Sequence, residues 1–115
     1  MNIELTVAFV GFGGNIGDGE YFYSYSPNVI IVEALNEPLN FQFSKETANN
    51  FVMKQIITTD ANNQFSKATK APDGRSMQTT DSNSNPQLTL MSILVEDQTR
   101  AKLISCDPQI LNVPD

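Results

Sequence analysis

Within this chain of 115 residues, the Asp107–Pro108 peptide bond is the place where residue types alone suggest chemistry. An Asp carboxyl can reach its own main-chain carbonyl carbon through a five-membered ring. Attack there forms a cyclic anhydride and expels the amine that follows. Proline nitrogen belongs to a tertiary amide, is more basic than an ordinary peptide nitrogen, and leaves more readily once protonated. In a flexible chain the reaction is slow, and a fold that holds the carboxyl in attack geometry speeds it by an effect worth several kcal/mol. In this scheme Asp107 is both nucleophile and cleavage residue, and Pro108 is the leaving group. A second carboxylate could protonate the departing nitrogen, and Glu33, Glu37 and Asp60 are candidates that the sequence does not rank. The competing reading is an ordinary strand-end turn, because an Asp–Pro pair arises readily by chance in a chain of this composition.

Other chemistries are excluded by inventory. The chain has no His and no Trp, and its one cysteine is Cys106. A Ser–His–Asp triad, an imidazole metal ligand, a thiolate zinc cluster and an intrachain disulfide are therefore all absent. With only Lys102 nearby, the Cys106 thiolate has no evident activator, and a buried small residue is the expected role.

Three further motifs fail on spacing. The glycine stretch Gly11 to Gly19 follows a strand-like segment as a dinucleotide loop would, but Ile16 occupies the third glycine position of G-x-G-x-x-G. The residues after it are β-patterned, so no helix N-terminus follows to bind a pyrophosphate, and a flexible hairpin loop is expected. Asp60-Ala61-Asn62-Asn63-Gln64 begins like a calcium loop, yet Phe65 replaces the turn glycine and Ala71 the terminal Glu. Thr80-Asp81-Ser82-Asn83 lacks the glycine of an aspartic-protease turn and reads as a polar loop. Neither a cofactor nor a dedicated metal site is expected.

The elements that would position Asp107 are strands. Ile3, Leu5, Val7 and Phe9 alternate with polar or small residues, a period-2 pattern. Tyr21, Tyr23 and Tyr25 mark a second strand, more in keeping with sheet packing than with a binding face. Val29 to Glu33 is a β-branched run, Asn36-Glu37-Pro38 a turn, and Leu39 to Phe43 alternates again. Ser44 to Asn50 can form one helical turn with Ser44 as N-cap. Phe51 to Thr58 reads as a strand. Asp60 to Pro86 is a long polar stretch, unusual inside a compact domain, with room for a hairpin around Pro72-Asp73-Gly74. Leu88 to Val95 is apolar on both faces and reads as the central strand. Glu96 to Arg100 is its loop, Lys102 to Cys106 the return, and Ile110 to Val113 a last extended piece. These elements predict an all-β, single-domain β-sandwich over residues 1–115, immunoglobulin-like or a small barrel, with about seven short strands.

Composition limits the partners. The net charge is −6, and the seven Lys and Arg residues are scattered, so there is no basic stripe for nucleic acid or an anionic membrane. No apolar run approaches the roughly 20 residues that span a bilayer. Met1-Asn2-Ile3-Glu4 does not read as a signal peptide, and a cytoplasmic location is the expectation.

The C-terminal run Ser105-Cys106-Asp107-Pro108-Gln109-Ile110-Leu111-Asn112-Val113-Pro114 resembles the tail of the DP-EP family, small bacterial β-sandwich proteins described as self-cleaving, self-assembling endopeptidases. The run Phe22 to Val29, with the β-branched strand after it, is also similar. One departure is Val113, which stands where the family pattern implies Glu before Pro114. The resemblance implies autoproteolysis at Asp107–Pro108, with residues 108–115 retained as a noncovalent strand. It also implies a homo-oligomer by strand exchange, since an edge vacated by one chain's own C-terminal peptide can accept another's. The alternative is a non-enzymatic β-sandwich that binds or self-assembles and in which Asp107–Pro108 is only a turn.

Overall fold

Alternation of side chains sets the strands of the computed structural model, which describes residues 1–114. In β1 (Asn2–Phe9), Ile3, Leu5 and Val7 are buried while Asn2 and Glu4 face solvent. There follow β2 (Tyr21–Ser26), β3 (Val29–Val32), β4 (Glu37–Phe43), β5 (Phe51–Thr58) and β6 (Thr69–Lys70). The chain ends with β7 (Ser76–Asp81), β8 (Gln87–Asp97), β9 (Lys102–Cys106) and β10 (Gln109–Asn112). The described residues form no helix, and therefore none long and apolar enough to cross a membrane.

One sheet has the order β2-β1-β4-β7-β6, the other β3-β10-β8-β5, with β9 also paired to β8. Both are mixed: β1 runs parallel to β4, and β10 parallel to β3. Their inner faces enclose one core, with Leu5, Tyr21 and Phe41 from the first sheet and Ile30, Ile93 and Ile110 from the second. The all-β architecture expected from the sequence is present as two sheets.

The described residues form ten strands where the sequence predicts about seven. Much of the excess comes from the polar stretch after Asp60, which contains the β6–β7 hairpin turning through Pro72-Asp73-Gly74. Gly74 takes a φ of +70°, which an L side chain resists. The inward residues of β7 are Met77, Thr79 and Asp81, so its period of two is hidden from a hydrophobicity pattern. Asn36-Glu37-Pro38 is shorter as a turn than expected, because β4 already begins at Glu37. Ser44 to Asn50 forms turns and no helix. Its Thr47 hydroxyl is drawn to β1 instead, where pairing with β4 ends at Leu5, accepting from the Val7 amide at 3.0 Å and donating to the Leu5 carbonyl at 3.3 Å.

Candidate functional site

β9 and β10 are two halves of one strand. Both lie along the same side of β8, with Cys106 opposite Ile93 and Gln109 opposite Leu90. The two residues between them, Asp107 and Pro108, match the two between Ile93 and Leu90, so the register passes through without a bulge. The ladder lapses here because Pro108 has no N–H to contribute. The alternation of faces also continues: Ile104, Cys106, Pro108, Ile110 and Asn112 are buried, while Asp107 and Gln109 are exposed. The Asp107 carboxyl therefore stands on the outer face. It accepts a hydrogen bond from Ser105 Oγ, two residues back on the same face, at 2.7 Å. Ser105 Oγ is hydrogen-bonded in turn to Ser92 Oγ on β8.

The other edge of this composite strand is closed in two ways. β3 pairs with β10 from Gln109 to Asn112 but does not extend along β9. There, tyrosines from the edge strand of the opposite sheet take over. Tyr25 Oη donates to the Cys106 carbonyl at 2.8 Å. Tyr23 borders the same cleft as Asp107, and its ring meets that of Tyr25 edge to face at 6.0 Å. The Cys106–Asp107 peptide is thus anchored by the Tyr25 hydroxyl. Burial raises the pKa of both phenols, of Tyr25 strongly, so both stay protonated at neutral pH. Asp107 and Gln109 border an open cleft with Asn15, Phe22, Tyr23 and Asn28.

Of the three carboxylates suggested as assisting acids, two are engaged elsewhere and the third is distant. Glu37 meets the N-terminal ammonium at 3.4 Å. Asp60 accepts from the Phe65 amide at 2.8 Å and from Gln87 Nε2 at 2.9 Å. Glu33 follows Val32, whose partner is Asn112, and so lies roughly 20 Å along the strand direction from Asp107. The side chain that bonds the Asp107 carboxyl is the Ser105 hydroxyl, and Tyr23 lies across the same cleft. Ser105 was within reach of sequence reasoning as the i−2 neighbour on a strand. Tyr23 was not, since nothing local in the sequence links it to a residue more than 80 positions away.

The other motifs resolve into structural roles. Cys106 is fully buried, and burial, with the Asp107 charge adding to it, pushes its thiol up to about 12, too high for a nucleophilic thiolate. The glycine loop leads into β2 as a hairpin. It is not a free arm: Asn15 pairs with both the amide and the carbonyl of Tyr23, each at 2.9 Å. A Cβ on Gly14 would fall 2.0 Å from the Tyr21 carbonyl oxygen, so that glycine serves close packing. Tyr21 and Tyr25 point into the core. The segment from Thr80 to Asn83 is less exposed than a polar loop, for Asp81 and Asn83 are both fully buried.

Compared with known proteins, the chain matches no protein-family model and no curated protein. The DP-EP resemblance therefore stands on the residues quoted for it.

Proposed function

We propose that this protein is a self-cleaving β-sandwich that breaks its own Asp107–Pro108 bond and retains the peptide from Pro108 onward as a strand. The observation that carries this reading is the unbroken register across the junction. It leaves the Asp107 carboxyl exposed while both products belong to strands of the sheet. The attack is made by the protonated carboxyl of Asp107 on its own main-chain carbonyl carbon. The C–N bond to Pro108 breaks, the carboxyl proton ends on the proline nitrogen, and water then opens the anhydride to two carboxyl groups. No second acid is required for this balance. Retention follows from main-chain bonds to β3 and β8 and from the burial of Ile110 and Asn112.

Mass spectrometry of the purified chain incubated between neutral pH and pH ~4 tests the reaction, the lower limit being near the free Asp pKa. Cleavage is expected to accelerate with acid and to give a fragment beginning at Pro108. The fragments are expected to co-elute under native conditions, and Asp107→Asn to slow the reaction greatly. Equal rates for folded and denatured chains at the same pH would reduce it to the intrinsic lability of an Asp–Pro bond.

A second reading, self-assembly without cleavage, is favoured by the outer face of the second sheet. Val29, Ile31, Leu88 and Leu90 are between 44% and 61% exposed there. They adjoin through β10, where Leu111 pairs with Ile31 on one side and Leu88 on the other. A homo-oligomer of uncleaved chains in sedimentation experiments would support it.

A further inference from the structure

A second cluster lies apart from the Asp107–Pro108 junction. Asp81 ends β7 in one sheet, Asn112 ends β10 in the other, and Asn83 sits two residues beyond Asp81. Their exposures are 0%, 1% and 0%. Asp81 Oδ1 accepts from Asn112 Nδ2 at 3.0 Å and from the Asn83 main-chain amide at 2.9 Å. Asn83 Nδ2 donates to the Ala34 carbonyl at 3.2 Å. These bonds fix both amides, because a carboxylate or carbonyl oxygen accepts only from nitrogen. Three oxygens then remain without a donor among the described residues: Asp81 Oδ2, Asn83 Oδ1 and Asn112 Oδ1.

Buried polar atoms without partners are rare in folded proteins, and these three belong to residues joined through Asp81 Oδ1. A water molecule carries two protons and satisfies two of them. A proton on Asp81 satisfies Oδ2 and one amide oxygen and leaves the third. A cation accepts lone pairs from all three. No Lys or Arg forms an ion pair with Asp81 among the described residues. The donors are all oxygen, which selects a hard cation.

We propose that Asp81, Asn83 and Asn112 form a buried site for a hard divalent cation of the calcium class, which ties β10 to β7 across the two sheets. Main-chain carbonyls and water complete the about six to eight oxygens such an ion takes. The described residues contain no cluster of three acidic or thiol ligands, and the site is distinct in resting on one carboxylate and two amides. The electrostatics agree. Burial raises the Asp81 pKa, the hydrogen bonds from Asn83 and Asn112 offset this only in part, and the nearby negative charge of Asp60 adds to it. A bound cation reverses that balance.

The test uses the whole chain, stripped with EDTA and titrated with calcium chloride, with thermal unfolding and calorimetry as readouts. Calcium is expected to raise Tm saturably by about 5 °C, and EDTA to reverse the shift. Asp81→Asn is isosteric and is expected to fold but lose the response. Asp60→Asn, whose oxygens already have partners, is expected to keep it. An unchanged Tm and no binding heat at millimolar calcium would overturn the proposal, as would an equal response in Asp81→Asn. Calcium indifference joined to stabilisation by mild acid would give the site to a proton and equally overturn it.

Discussion

Asp97 and Asp81 are both fully buried carboxylates, at the ends of β8 and β7, and their surroundings are opposite. Asp97 receives Tyr21 Oη and Asn50 Nδ2, each at 2.7 Å, Arg100 Nη1 at 3.1 Å, and the amides of Thr99 and Arg100 at 3.0 and 3.3 Å. The guanidinium of Arg100 also stacks on Phe9, 3.5 Å from the ring centre. Asp81 receives two donors, both on one oxygen. Burial pushes each carboxyl upward, but the bonds from Tyr21, Arg100 and Asn50 outweigh it at Asp97, whose pKa falls below the usual range. At Asp81 burial prevails and the pKa rises. Loss of solvent contact therefore does not by itself decide the charge state of a carboxylate; the number and charge of its donors count as well. A saturated carboxylate holds a hairpin shut, and a half-saturated one has capacity left for a ligand.

The comparison breaks most visibly at Asp97. Asp97→Ala removes the acceptor for five donors and is expected to cost about 3 kcal/mol in urea unfolding. A loss below about 1 kcal/mol would show that the Asp97 network adds little beyond packing. The tyrosines sharpen the point, because their hydroxyls serve different acceptors. Tyr21→Phe takes a donor from a charged carboxylate and is expected to cost about 2 kcal/mol. Tyr25→Phe takes one from the neutral Cys106 carbonyl and is expected to cost about 1 kcal/mol. Equal losses would remove the distinction.

The smallest expected effect has the opposite sign. In EDTA, Asp81→Asn removes a buried charge and supplies a donor to an orphaned amide oxygen, and is expected to stabilise by about 1 kcal/mol. The pH profile separates the two sites. Asp97, with its lowered folded pKa, contributes stability that is present above the unfolded value near ~3.9 and is lost as pH falls through the folded value. Asp81, with its raised folded pKa, carries a penalty that is full above that folded value and fades as pH falls toward the unfolded one. Stability in EDTA is therefore expected to rise on mild acidification and then to fall below about pH 4. Asp81→Asn is expected to erase the rise and leave the fall. A monotonic decline in both proteins would contradict the assignment at Asp81.

Local pattern made some elements readable and left others hidden. Phe51–Thr58 and Lys102–Cys106 were read to the residue, because apolar alternation and the turn residues that bound it are properties of the segment itself. β7 was not read as a strand, since an inward row of Met77, Thr79 and Asp81 looks polar without the partners that satisfy it. The composition of Ser44 to Asn50 suits an N-capped helical turn, and the side of β1 beyond Leu5 is the stronger claimant on Thr47.

By itself the sequence determined the class of fold and the presence of an Asp–Pro bond, since a period of two and an Asp before Pro are written within a few adjacent residues. Tertiary structure alone decided what surrounds that bond: the register that continues across it, the Ser105 hydroxyl and Tyr23 beside it, and the distance to Glu33. Only the folded chain brings Asn112 to Asp81, 31 residues away, and leaves an oxygen of each without a donor among the described residues. The reason is physical. Propensity and periodicity are local, whereas desolvation and hydrogen-bond satisfaction depend on which distant segments the core brings together.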